Sequence, residues 1–188
     1  MRVIAGTRRS LPLKSVPGLS SRPTQDRIKE TLFNMLQPYV SGSIFLDLFC
    51  GTGGIGIEAL SRGAKKGFFV EKDRKTFSVL TENLKFTKFT EESVCFQMDT
   101  LMAFPRIKES LSGESADIIF MDPPYYEGYY TPVLNGLLSS GIADKDTLII
   151  AEADKKEDFS FAQEMGYQII KEKIYKTNKH VWLRIKEL

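Results

Sequence analysis

Apolar residues fall along this chain in two rhythms. From residue 43 onward, short apolar and β-rich runs recur at Ile44–Leu48, Lys66–Glu71, Ser93–Met98, Asp117–Met121 and Thr147–Glu152. Runs of this length predict buried strands. The segments between them carry helical spacing and predict helices near 54–62, 73–86, 100–111, 130–139 and 158–165. Strands that alternate with helices build a doubly wound, Rossmann-like α/β sheet, mostly parallel. Two closing strands, near Tyr167–Tyr175 and Lys179–Ile185, are separated only by the turn signal Thr177-Asn178. With no helix between them, the sheet should end in an antiparallel edge hairpin.

The first forty residues read differently. Arg2–Ala5 and Leu11–Lys14 flank the turn Gly6-Thr7-Arg8-Arg9 and predict a short hairpin. A loop with Pro17, Gly18 and Pro23 follows. Thr24 then takes the N-cap position of a helix whose apolar positions Ile28, Leu32, Phe33, Met35 and Leu36 run until Pro38. Residues 1–40 thus predict a basic hairpin and amphipathic helix, appended to a domain over 41–188.

Charge sharpens this division. Residues 1–29 hold seven basic side chains and the single acid Asp26, an excess of six positive charges on a chain whose total is only +2. A basic arm on a near-neutral body is an electrostatic footprint for a polyanion. Arg2, Arg8, Arg9 and Lys14 are the candidates to meet phosphates, contacts that position a nucleic acid without reading it. At 188 residues with 42% hydrophobic content, the chain can bury one sizeable core. No apolar run is long enough to span a bilayer, and the first thirty residues lack the apolar core of a signal peptide. Cys50 and Cys95, far apart and outside any CxxC pattern, point away from a disulfide scaffold or zinc site. A cytoplasmic, metal-free monomer is the expectation.

Candidate chemistry begins where the first strand meets the first helix. Asp47-Leu48-Phe49-Cys50-Gly51-Thr52-Gly53-Gly54-Ile55-Gly56 runs from one into the other. Glycines there allow a tight turn and close approach of a ligand to the backbone. Glu71 ends the next strand, twenty residues after Gly51, where a carboxylate accepts hydrogen bonds from ribose hydroxyls. Gly51-x-Gly53-x-x-Gly56 also matches the dinucleotide fingerprint, so a nicotinamide or flavin enzyme stays among the alternatives. Three features favour S-adenosylmethionine. Asp47 puts a carboxylate where a pyrophosphate would be repelled and a cationic methionyl end attracted. The chain is short for a dehydrogenase with a separate substrate domain. Such an enzyme also has no evident use for the motif at the fourth strand. Asp99, after the third strand, suits the adenine amino group, with Met98 or Leu101 on the ring, and suits a helix N-cap nearly as well.

The fourth-strand motif is Asp122-Pro123-Pro124-Tyr125, directly after the apolar run that ends at Met121. Ligands of open α/β sheets bind at the C-terminal ends of strands. A carboxylate and a proline-fixed carbonyl there can accept both hydrogens of a planar base amine, while the tyrosine stacks on the base. Pro-Pro also simply stops a strand, and Tyr125 also suits packing on the sheet end. Tyr126, Tyr129 and Tyr130 either extend the stacking surface or start the next helix. His180, beside Trp182 in a closing strand, reads as a surface or satisfied residue without a catalytic role.

This combination resembles the amino-methyltransferase branch of the S-adenosylmethionine-dependent methyltransferases. Arg2-Val3-Ile4-Ala5-Gly6, Leu11-Pro12-Leu13, Arg22-Pro23-Thr24-Gln25-Asp26-Arg27 with Glu30 and Phe33-Asn34, and Glu58-Ala59-Leu60-Ser61-Arg62-Gly63-Ala64 resemble the bacterial RsmD family more narrowly. The resemblance is weakest over 100–115 and 155–188. It implies a methyltransferase sheet and transfer from S-adenosylmethionine to the N2 amine of a guanine in 16S ribosomal RNA. The RNA partner would be the small subunit or an assembly intermediate. It also implies Asp47, Gly51, Gly53 and Glu71 at the cofactor, with Phe49 in the same loop and Asp99 at the adenine. Arg22, Pro23 and Thr24 would lie over the methionyl end, and Asp122 to Tyr125 would hold the base. The Asp-Pro-Pro-Tyr motif by itself does not separate guanine N2 from adenine N6, because both amines present the same donors. N6-adenine methylation of DNA or RNA is therefore the alternative enzyme, and a catalytically silent ribosome-assembly factor the alternative class.

Overall fold

The computed structural model describes residues 1–16 and 23–187. Five short strands pair in parallel: β1 (Ile44–Asp47), β2 (Lys66–Val70), β3 (Ser93–Phe96), β4 (Ile118–Met121) and β5 (Leu148–Asp154). The hairpin β6 (Tyr167–Ile174) and β7 (Asn178–Ile185) joins β5 antiparallel through β7. The sheet order is β3-β2-β1-β4-β5-β7-β6. The order reverses between β1 and β4, and a crevice opens there outside the strand ends.

Among the described residues, six helices cover the sheet: α1 (Pro23–Val40), α2 (Gly54–Ser61), α3 (Arg74–Thr87), α4 (Thr100–Leu111), α5 (Tyr130–Ser140) and α6 (Ser160–Glu164). Strand alternation sorts the core into two layers. Leu46, Val70, Ile119, Met121, Ile149 and Ala151 face Ala103, Ile107, Val133 and Leu134 of α4 and α5. Phe45, Phe69, Ile118, Phe120, Ile150 and Trp182 face Leu32, Phe33 and Leu36 of α1 and Ile57 of α2. Residues buried on both faces explain why the strands read as continuous apolar runs.

The amino-terminal arm belongs to the second layer. Val3 and Leu13 are buried in that same cluster. The expected hairpin shrinks to one bridge, Arg2 with Pro12, around a 3-10 turn over Gly6–Arg8. Its backbone has a better acceptor than a second strand: Ile4 and Ala5 N–H donate to the two carboxylate oxygens of Glu58 at 2.7 and 3.0 Å. Two further expectations shift. The first helix starts at Pro23, which puts Thr24 inside the first turn rather than at the cap, and it continues through Pro38 to Val40. Pro38 removes one N–H near the end of the helix. Leu32, Leu36 and Val40, four apart and all buried, carry the apolar face past it.

Candidate active site

The loop after β1 is held from several sides. Leu48 N–H donates to Phe120 O and Cys50 N–H to Val70 O, both at 3.0 Å, and Gly53 N–H closes a turn on Cys50 O at 2.8 Å. Gly51 and Gly53 both have positive φ, at 54° and 89°. A Cβ on Gly53 would lie 2.5 Å from Leu80 Cδ1, whereas one on Gly51 would meet nothing within 4 Å. Gly53 thus makes room for α3, and Gly51 leaves the loop open toward the crevice. Asn83 of α3 donates to Thr52 O at 2.9 Å and to Lys14 O at 3.0 Å, which ties loop and arm together.

Below this loop Asp47 is buried and accepts from Gly56 N–H at 3.2 Å, at the start of α2. Burial pushes its carboxyl up to about 7, with the neighbouring Glu71 adding to the rise and the hydrogen bond opposing it.

Two cavities meet over the strand ends. The larger, about 580 Å³, is lined by Glu71, Asp99, Thr100, Asp122, Pro123 and Tyr125 among others. The smaller, about 230 Å³, is lined by Ile28, Lys29, Asp47, Gly51, Thr52 and His180 among others. Phe49, Asp122 and Glu152 line both. The size suits a small cofactor, and so does the chemistry for a cationic one. Five carboxylates, Asp47, Glu71, Asp99, Asp122 and Glu152, border this space, with Lys29 and Lys72 the two lysines among its described lining residues. A phosphate-bearing dinucleotide would be repelled there, while a sulfonium with an α-ammonium group is attracted. The open backbone at Gly51 supplies the close approach that an α-carboxylate or ribose needs. These residues therefore fit S-adenosylmethionine.

All the expected site residues except Arg22 are among the described ones. Asp99 caps α4, accepting from Leu101 N–H at 3.0 Å, and its other oxygen accepts from the Tyr129 hydroxyl at 3.1 Å. Tyr129 stands edge-on to Phe49 at 5.2 Å and is the N-cap residue of α5, and it lines neither cavity. Tyr130 is buried, donating to Glu152 O at 2.9 Å. Asp122 is reachable through the cavities while protein surrounds most of its carboxyl; that enclosure, with Glu152 and Asp47 nearby, holds the carboxyl well above the usual range. Pro123 is buried, Pro124 exposed and Tyr125 half-buried. Tyr126 follows with a φ of +65° and crosses Tyr125 edge-on at 6.4 Å. Gly53 lines neither cavity. Arg22 lies outside the described residues, and Pro23 and Thr24 enter only as the start of α1. Ile28, Lys29 and Leu32 are what α1 contributes to the smaller cavity.

The basic arm is only partly free. Arg8 Nε donates to Thr87 O at 2.7 Å and its guanidinium lies 5.1 Å over Phe89. Lys14 pairs with Glu82 at 2.7 Å on the surface, and Arg2 lies 3.8 Å from Asp26. Arg9 is exposed and shares a pocket with Arg2 and Arg27.

Four residues were not foreseen at this site: Lys29, Glu58, Glu152 and His180. Glu58 is fully buried between Lys29 at 3.4 Å and Arg62 at 2.8 Å. Lys29 Nζ also donates to Arg2 O at 2.6 Å, and burial lowers its pKa. Glu152 carried the same signal as Glu71, an acid at the end of an apolar strand. His180 is buried and satisfied, hydrogen-bonded to Tyr175 and Glu152.

A sheet of this order, with a glycine loop after β1 and an acid ending β2, defines a Rossmann-like methyltransferase fold. The family model described as Conserved hypothetical protein 95 matches residues 1–184. Ribosomal RNA small subunit methyltransferase D from Haemophilus influenzae is 35% identical over 175 residues, covering 92% of this chain and 88% of that protein. Its namesake from Escherichia coli is 36% identical over 156 residues, covering 82% and 75%. Among solved structures, yhhF from Escherichia coli superposes with a TM-score of 0.83 at 29% identity, covering 100% of this chain and 99% of that one. The chain belongs to the RsmD family, as its arm and motif residues implied. No described helix is long and apolar enough to cross a membrane.

Proposed function

We propose that this protein transfers a methyl group from S-adenosylmethionine to the N2 amine of a guanine in 16S ribosomal RNA, within the small subunit or a particle on the way to it. The observation that carries the chemistry is the position of Asp122: at the end of β4, where two carboxylate-bordered cavities meet, followed by the buried, φ-locked Pro123. The names of the relatives support small-subunit ribosomal RNA as the substrate, and the guanine N2 amine is what the family resemblance implies. When bound, S-adenosylmethionine supplies a methyl group on an already activated sulfonium leaving group.

The protein's own part is to grip the amine. An exocyclic base nitrogen is a poor nucleophile because its lone pair is delocalised into the ring. Asp122 Oδ and the Pro123 carbonyl accept its two N–H bonds, which favours the pyramidal amine and gathers the lone pair on nitrogen. Positive charge develops on that nitrogen during attack, so both acceptors bind the transition state more tightly than the ground state. They also set the nitrogen in line with the incoming methyl. Tyr125 stacks on a base that has left its helix or loop. Glu71 holds the ribose, Asp99 the adenine amine, and Asp47 with the Gly51 loop the methionyl end. Arg2, Arg9 and Lys14 meet RNA phosphates, whereas Arg8 braces the arm against Thr87 and Phe89.

The decisive test is transfer of labelled methyl to small subunits, 16S RNA and duplex DNA, followed by nucleoside digestion. Label in N2-methylguanosine from the ribosomal substrates is expected. Label in N6-methyladenine would keep the grip and overturn the substrate, and cofactor binding without any transfer would make the protein an assembly factor. Asp122→Ala should lower kcat by at least about a hundredfold with cofactor affinity nearly intact, because it removes a transition-state acceptor. A variant that kept most of its activity would refute the grip.

A further inference from the structure

Strand register sets a second carboxylate beside Asp122. Met121 pairs with Ala151 where β4 ends, so the next residues, Asp122 and Glu152, leave that pair side by side, and both line the two cavities. Glu152 pairs in turn with His180 across β5 and β7. The three side chains form a row across the sheet, on the face where Phe120, Ile150 and Trp182 are buried.

Glu152 is anchored from behind. Asn178 Nδ2 donates to its Oε1, and His180 Nε2 lies 3.0 Å from its Oε2. His180 Nδ1 lies 3.2 Å from the Tyr175 hydroxyl. When that hydroxyl donates to Nδ1, the ring proton sits on Nε2 and points at Glu152. His180 is buried and edge-on to Phe120 at 6.0 Å, which fixes its plane. The two donors occupy about half of the acceptor positions of a carboxylate. The Glu152 side chain keeps 20% of its exposure and lines both cavities, so acceptor capacity remains for a ligand.

Sheet order says which ligand. Along β3, β2, β1, β4 and β5 the strand ends carry Asp99, Glu71, the glycine loop, Asp122 and Glu152. The cofactor, as proposed above, spans the first three, and its methyl meets the amine at Asp122. Glu152 lies one strand farther, on the side away from the cofactor. The atom that neighbours a gripped base amine there distinguishes the two purines. Guanine carries an N1–H donor next to its N2 amine, whereas adenine carries an N1 lone pair next to its N6 amine. A carboxylate accepts from the first and repels the second.

We propose that Glu152 selects guanine by accepting a hydrogen bond from its N1–H while Asp122 and Pro123 hold the N2 amine, with His180 and Asn178 as positioning residues. This rests on the guanine reading above. It supplies the discrimination that Asp-Pro-Pro-Tyr by itself lacks, because a site built to meet a donor strongly rejects an analogue without it.

The test uses 2-aminopurine, which keeps the N2 amine and replaces N1–H by a lone pair. The nucleotide that the wild-type protein methylates is mapped first; 2-aminopurine is then ligated into that position and kcat/KM is compared with guanine. The wild-type protein should prefer guanine by at least about tenfold, the loss expected for one charge-assisted hydrogen bond. Glu152→Gln, whose amide can turn its NH₂ toward a ring lone pair, should be slower on guanine and bring the two bases within about threefold of each other. Its affinity for S-adenosylmethionine should change less than its preference between the two bases. His180→Gln, which still offers an N–H, should keep the wild-type preference, and His180→Phe should lose it.

Parity between the bases in the wild-type protein would overturn the proposal without any variant. So would an unchanged preference in Glu152→Gln, or a loss of cofactor affinity in it that exceeds the change in preference, which would make Glu152 a partner of the methionyl ammonium. N2-methylguanosine with no preference sinks only the role of Glu152, whereas N6-methyladenine sinks the guanine reading beneath it.

Discussion

At the scale of single residues, position along a strand decides which acids have work to do at the cavity. Asp47, Asp122 and Glu152 each lie two residues beyond an apolar residue of the same buried layer, at Phe45, Phe120 and Ile150. The first two were legible because glycines or prolines mark their turns. Asp47 has a measurable signature. Its folded carboxyl holds a proton up to about 7 against an ordinary 3.8, so between those values the folded state binds more protons than the unfolded one. Stability therefore falls as pH rises from 3.8 to about 7, and the penalty is fully developed above that. Asp47→Asn should melt higher than the wild type at pH 8, by at most about 4 kcal/mol of stability, with the gap closing near pH 4. Thermal melts over a pH series read this directly. The same variant should bind S-adenosylmethionine more weakly. In the wild type, affinity should climb through pH 7 as the carboxylate forms, and calorimetry should show a flatter profile for Asp47→Asn.

At the scale of elements, small residues and one buried acid set how helices and arm meet the sheet. A Cβ on Gly56 would lie 2.3 Å from Phe69 Cε1, so Gly56→Ala must push α2 off β2 or turn a fully buried ring. About 1–3 kcal/mol of stability should be lost, and a denaturant midpoint near the wild-type value would show that Phe69 relaxes freely. Glu58 is the joint between α1, α2 and the arm. Its two oxygens serve Ile4, Ala5, Lys29 and Arg62. Glu58→Ala would leave Lys29, 3% exposed, and Arg62, 7% exposed, without their shared partner. A loss of about 3–5 kcal/mol is expected by analogy with broken buried pairs. Hydrogen exchange at Ile4 and Ala5 should rise more than exchange in β1. Periodicity located α2 closely, and nothing in it marked Glu58 as buried: on a short helix an acid at any position reads as a solvated face until the arm is known to cover it.

At the scale of the whole molecule, charge is divided between two surfaces. Carboxylates gather at the strand ends, and Arg2, Arg8, Arg9, Lys14 and Arg27 lie on the arm and the first helix. In the proposed function this separation would draw a cationic cofactor to one place and a polyanion to another. Arg9→Glu should weaken RNA binding most at low salt and reduce the slope of log affinity against log salt by about 1. Cofactor affinity should not change, since Arg9 lines neither cavity. Equal RNA affinity at low salt in variant and wild type would place the phosphate contact elsewhere.

Local sequence carried the strand–helix alternation, the glycine loop with Glu71, and the strand-end motif at Asp122, because each is written in neighbouring residues whose φ/ψ and burial preferences act over a few positions. It also bounded most elements to within a residue or two. Tertiary structure decided what depends on separate segments meeting. Pairing of β5 with β7 put His180 behind Glu152, and the packing of α2 against the arm turned Glu58 from a surface acid into an anchor. Arg8 changed from a free charge into a brace for the same reason. Register and packing are relations between distant segments, set by the burial of both partners together, and no stretch of sequence contains them alone.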